Sequence, residues 1–100
     1  MPSYRLEVEI GDLLPGRSPE QVMDAAVSAL GFHIDATDIT VVAGTPRIQV
    51  RFTVPPSSSY EEDSAARTAS RQSRDAVENV ATTGRYRILR RYHGKWLALG

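Results

Sequence analysis

The chain has 100 residues, 41% of them hydrophobic, with twelve basic and twelve acidic side chains and no cysteine. That length suits a single domain able to bury roughly two-thirds of its unfolded surface, so no metal or disulfide is needed to hold it together. The lack of cysteine excludes disulfides, thiolate nucleophiles and cysteine-based zinc sites, and a formal net charge of zero excludes a global attraction to nucleic acid or membrane.

The opening Met1-Pro2-Ser3-Tyr4-Arg5-Leu6-Glu7 breaks any apolar run with charge and does not read as a signal peptide. No stretch approaches the ~18 apolar residues of a membrane span. A soluble, cytoplasmic protein with no membrane partner is expected. The basic residues are eleven Arg and one Lys. Genomic base composition alone produces such a bias, so it carries no binding argument.

Tyr4, Leu6, Val8 and Ile10 alternate with Arg5, Glu7 and Glu9, the period-two pattern of a half-buried strand. Gly11-Asp12 ends it. Ser18-Pro19-Glu20-Gln21 is a helix start, with Ser18 as cap, Pro19 in the first turn and Gln21 completing a capping box. Val22, Ala25, Ala26, Ala29 and Leu30 follow at helical spacing, and Gly31 closes about three turns. Phe32, Ile34 and Ala36 alternate, and Ile39 and Val41 alternate one residue out of phase, which predicts a bulge at Thr37-Asp38. Gly44-Thr45-Pro46 turns the chain into Ile48, Val50, Phe52 and Val54, the cleanest alternation in the sequence.

Ser59 with Glu62 fits a second capping box behind an acidic first turn. The helix is expected to run to about Thr83, with Gly84 as terminator and Ala66, Ala69, Ser73, Ala76, Val77 and Val80 as its buried stripe. Its N-terminal turns, with only alanines to bury, are expected to overhang the sheet or fray. The last strand is Arg85–Tyr92, with Tyr86 and Ile88 facing the core. His93-Gly94 turns the chain into a short apolar tail containing Trp96, Leu97 and Leu99.

The order strand–helix–strand–strand–helix–strand predicts one α+β domain over residues 1–100. It would be a two-layer sandwich in the ferredoxin-like order, a four-stranded antiparallel sheet with two helices on one face and a C-terminal apolar extension. Right-handed crossovers place the first and third strands in the centre and the second and fourth at the edges. The likeness is one of topology and extends over the whole chain. No family motif accompanies it, and a fold so widely reused assigns no function.

Sorting charge by layer is more informative. The polar face of the sheet is expected to carry Arg5, Arg47, Arg51, Arg85, Arg87 and Arg91 against Glu7 and Glu9, an excess of four positive charges. The helices carry Glu20, Asp24, Glu61, Glu62, Asp63, Asp75 and Glu78 against Arg67, Arg71 and Arg74, an excess of four negative charges. Arg17, Arg90 and Lys95 balance Asp12, Asp35 and Asp38. A basic sheet face suits a polyanion or an acidic partner; it is equally a face of cross-strand ion pairs.

Three functional readings follow. The first is a non-enzymatic interaction module, a homodimer among the options, working through the sheet face and the terminal strand: Arg47, Arg51, Arg85, Arg87, Arg91, Trp96, Leu97 and Leu99. The second is a nucleic-acid accessory protein using the arginines of that face, although the outward positions of the central strands hold no aromatic to stack a base. The third is a small enzyme using His33 or His93. Neither histidine has a partner indicated for acid–base work. His33, Asp35 and Asp38 do not have a spacing that ensures the convergence a metal needs. No serine sits in a nucleophile elbow and no glycine-rich phosphate loop occurs. No cofactor, metal or catalytic residue is expected.

Overall fold

The structure is a computed structural model that describes residues 2–99. Its elements are β1 (Ser3–Leu13), α1 (Glu20–Leu30), β2 (His33–Val42), β3 (Thr45–Thr53), α2 (Ser59–Val77), β4 (Ala81–Tyr92) and β5 (Lys95–Ala98). The architecture is α+β, with two helices and an antiparallel sheet. The sheet has five strands in the order β2-β3-β1-β4-β5, not four. The apolar tail supplies the extra strand. It moves β4 from the edge, where a four-stranded order puts it, to the interior.

The period-two pattern sets the faces. Opposed residues share a face, and β1 pairs Tyr4 with Phe52, Leu6 with Val50 and Val8 with Ile48 on β3. All six are buried, and they meet Val22, Ala26 and Leu30 of α1 and Ala66, Ala69 and Val77 of α2 in one core. Both helices therefore cover one face. Alanine and serine at their contact bring the helices close: Ser73 is fully buried and its hydroxyl donates to the Ala26 carbonyl at 2.7 Å.

Several boundaries differ from those expected. β1 continues to Leu13, bending toward β4 through register shifts near Ile10, so that Leu13 faces Ala81. Gly11 permits this bend, since a Cβ there would collide with the Thr82 hydroxyl. α2 stops at Val77 and β4 begins at Ala81, four residues before the expected Arg85. Val80 and Ala81 are buried as the chain re-enters the sheet. The bulge in β2 falls at Asp35, not at Thr37-Asp38: Ile34 faces Phe52 and Ala36 faces Arg51, leaving Asp35 as the extra residue.

The helix starts also shift. Ser58, not Ser59, caps α2, its hydroxyl accepting from the Glu61 amide at 3.2 Å. The Glu62 carboxylate reaches back to the Ser57 amide at 2.8 Å. At α1 Gln21 accepts from the Ser18 amide at 2.8 Å, but the N-cap position falls on Pro19, with no side-chain cap bond. Gly31 closes α1 in the left-handed region, as its position predicts.

The two hairpins, β2–β3 and β4–β5, turn through Ala43-Gly44 and His93-Gly94. Each turn has positive φ at both residues, the arrangement that matches strand twist in a two-residue loop.

Candidate functional site

The face of the sheet away from the helices carries the charge pattern. Strand register places Arg5 opposite Arg51 and Leu89, Glu7 opposite Gln49 and Arg87, and Glu9 opposite Arg47. Arg91 lies opposite Trp96. Arg85, two residues before Arg87 on β4, joins Glu7, Glu9, Arg47, Tyr86 and Arg87 around an open recess of about 410 Å³. The expected arginines therefore share one surface.

Glu7 is the centre of this surface. It is 3% exposed, and its carboxylate meets the Arg87 Nε at 2.6 Å, Arg5 at 3.7 Å and Arg47 at 3.9 Å. Burying one carboxylate under three guanidinium groups is tolerable because the charge is paired and hydrogen-bonded. Glu9 accepts from the Arg85 amide at 3.0 Å, close against Gly84. The cross-strand ion-pair reading thus holds for Glu7. It does not consume the face, because six arginines still stand against two glutamates.

Trp96 belongs to the same surface. Its ring lies under three guanidinium groups, with Arg5 at 4.5 Å and Arg51 and Arg91 each at 5.3 Å from the ring centroid. Sequence analysis names Trp96 for the partner surface without fixing its position; pairing of β5 with β4 is what lays it across the face. Leu89 lies on this side too, opposite Arg5 and Ala98, and is only 5% exposed although it lies outside the main core. The Nε atoms of Arg47 and Arg51 are buried without an acceptor among the described residues.

Leu97 and Leu99 do not join this surface. Leu97 faces Arg90 on the helix side and is half exposed. Leu99 packs against the core, and its amide donates to the Ile88 carbonyl at 2.9 Å.

The helix side holds a polar cluster that the sequence reading misses. Arg90 donates to the Tyr4 hydroxyl at 2.7 Å, to Asp63 at 2.9 Å and to Glu62 at 2.9 Å. Tyr4 donates to Asp63 at 2.6 Å. Burial, reinforced by the Asp63 carboxylate, pushes the Tyr4 phenol well above its ordinary value. Burial alone would raise Asp63, but the hydrogen bonds from Tyr4 and Arg90 outweigh it and hold this carboxyl below the usual range. Glu62 is also lowered, first by the Ser57 amide and then by Arg90. The cluster pins the first turn of α2 to β1 and β4, so that turn does not overhang the sheet. Every member is engaged with another, so the cluster is a structural clasp.

The histidines lie apart. His33 sits 3.4 Å from Asp35 on an open recess, and the Thr53 hydroxyl donates to the other Asp35 oxygen at 2.7 Å. The Thr53 hydroxyl is thus directed at the carboxylate and not at the imidazole. Asp38 accepts from the Ile39 amide at 2.9 Å. Among the described residues no three acidic or histidine side chains converge as a metal cluster. His93 occupies the β4–β5 turn, edge-on to Tyr92 at 4.3 Å. Among the described residues no helix is long and apolar enough to cross a membrane. Comparison with family models, curated proteins and solved structures finds no match.

Proposed function

We propose that this chain is a non-enzymatic binding module whose open sheet face receives an acidic protein partner. The observation that carries the proposal is the excess of arginine on that face: six guanidinium groups on rigid strands against two carboxylates, one of them buried. Regular strands fix the backbone spacing of the charges, so binding has to order side chains but not the chain itself. The face is also unsuited to stacking on its own copy, since two surfaces of the same sign repel. We read β1 to β4 with α1 and α2 as a ferredoxin-like arrangement to which β5 is added, carrying Trp96 onto the binding surface.

Trp96 favours a second reading, a single-stranded nucleic acid. An aromatic beside arginines is the usual equipment for stacking a base while holding its phosphates. Calorimetric titration with polyglutamate and with a single-stranded oligonucleotide, at low and at physiological salt, separates the two. The first reading expects polyglutamate to bind at low salt and weaken as salt rises, with an Arg51→Glu/Arg91→Glu variant losing about tenfold or more in affinity. Tighter oligonucleotide binding that is lost in Trp96→Ala transfers the face to the second reading. Absence of binding to both polyanions at low salt overturns both.

A further inference from the structure

The two edges of the sheet are built differently. β5 is four residues long and begins at Lys95, a short, charged edge of the kind that resists further pairing. β2 is ten residues long and pairs on one side only, with β3. It contains no proline or lysine, its bulge lies at Asp35 near the start, and Ile39–Val42 carries no charge. Its helix-side row is Thr37, Ile39 and Val41, opposite Val50, Ile48 and Pro46. The helices do not cover the far half of that row: Ile39 is 60% and Val41 68% exposed. The Asp38 carboxylate, which accepts from the Ile39 amide at 2.9 Å, has to release it for a strand to pair there. With that one exchange, an edge whose Ile39–Val42 half is uncharged and exposes β-branched side chains is a template for another strand.

We propose that β2 is the dimer edge of this protein, and that its occupant is the β2 strand of a second copy, antiparallel about a two-fold axis at Ile39. The strand is self-complementary in this register. Ile39 meets Ile39 of the other copy, and Thr37 meets Val41 on both sides of the axis, so the helix-side row pairs β-branched residues throughout. On the open side Asp38 meets Thr40 and Ala36 meets Val42. Moving the axis to Asp38 opposes two carboxylates, which is unfavourable. Moving it to Thr40 draws the Ala43-Gly44 turn into the ladder. The contact is isologous and closes at two copies, and the short β5 edge stops the sheet from growing further. The result is a ten-stranded sheet whose two arginine faces lie on the same side. This surface is separate from the open face, so the dimer and the acidic-partner reading stand or fall independently.

Sedimentation equilibrium from micromolar to millimolar protein tests the association. The expected result is a reversible dimer, with Ile39→Lys raising the dissociation constant about tenfold or more by opposing two ammonium groups. Circular dichroism of that variant reports whether the monomer fold is kept, as the exposure of Ile39 leads one to expect. The chain has no cysteine of its own, so Ile39→Cys is read against a clean background. It should form a disulfide-linked dimer on mild oxidation, and Leu97→Cys at the opposite edge of the sheet should not. A wild type that stays monomeric at millimolar concentration overturns the proposal. So does a dimer indifferent to Ile39→Lys, or one that cross-links through Leu97→Cys and not through Ile39→Cys.

Discussion

Tyr4 shows how one side chain serves two layers. Its ring stacks on Phe52 at 5.8 Å within the core, while its hydroxyl lies between Arg90 and Asp63. Tyr4→Phe keeps the ring and removes only that hydroxyl, leaving fewer partners for two charged groups. A loss of about 1–2 kcal/mol is expected in urea unfolding. Arg90→Met should cost more, because it strips both carboxylates of their cation at once. Tyr4 is legible in the sequence as a core residue but not as a hydrogen-bonding one. Arg90 is not legible at all, because its partners lie 27, 28 and 86 residues away and no local period encodes them. Ala43 makes the opposite case. It holds φ at +50° in a turn where asparagine or glycine is the ordinary choice. Ala43→Asn should stabilise the protein by about 0.5–1 kcal/mol, read as a higher Tm.

At the level of elements, β1 and β3 are the part of the fold most readily read from sequence. A sheet with one covered face separates apolar from charged residues with period two, and that separation also foretells the arginine face. β5 is harder to read. Four residues contain too few alternations to tell a strand from a tail, and only pairing with β4 decides it. The end of α2 is obscured because Val77 and Val80 suit a helical stripe as well as a strand entry. The β-branched Thr82 and Thr83 are the signal that favours the strand. Trp96→Ala removes most of what β5 lays across the face, and should cost about 1–2 kcal/mol. Amide exchange should then rise first at Leu97 and Leu99, with the core strands protected as before.

For the molecule as a whole, the charge separation survives with one revision: Arg90 belongs to the helix layer and offsets part of its acidity. The clasp it forms gives folding a defined pH dependence. Glu62 and Asp63 are lowered in the folded state, so the unfolded chain takes up protons first as pH falls. Their contribution is therefore complete above the ordinary carboxylate range, about pH 4–4.5, and drains away below it. Tyr4 is raised, so its contribution is complete below about pH 10 and is lost as the solution becomes more alkaline. Thermal unfolding across pH should show a plateau bounded on both sides, and Tyr4→Phe should flatten the alkaline edge without abolishing the acid one.

The sequence contains a single tryptophan, and it stands among the guanidinium groups of Arg5, Arg51 and Arg91. An anion drawn to those groups changes the field across the indole ring. The protein thus carries its own optical reporter: its emission can be followed without a label, and no other indole contributes background. The wavelength and intensity of that emission should follow occupancy of the open face directly, while events at the far β2 edge should leave it unchanged.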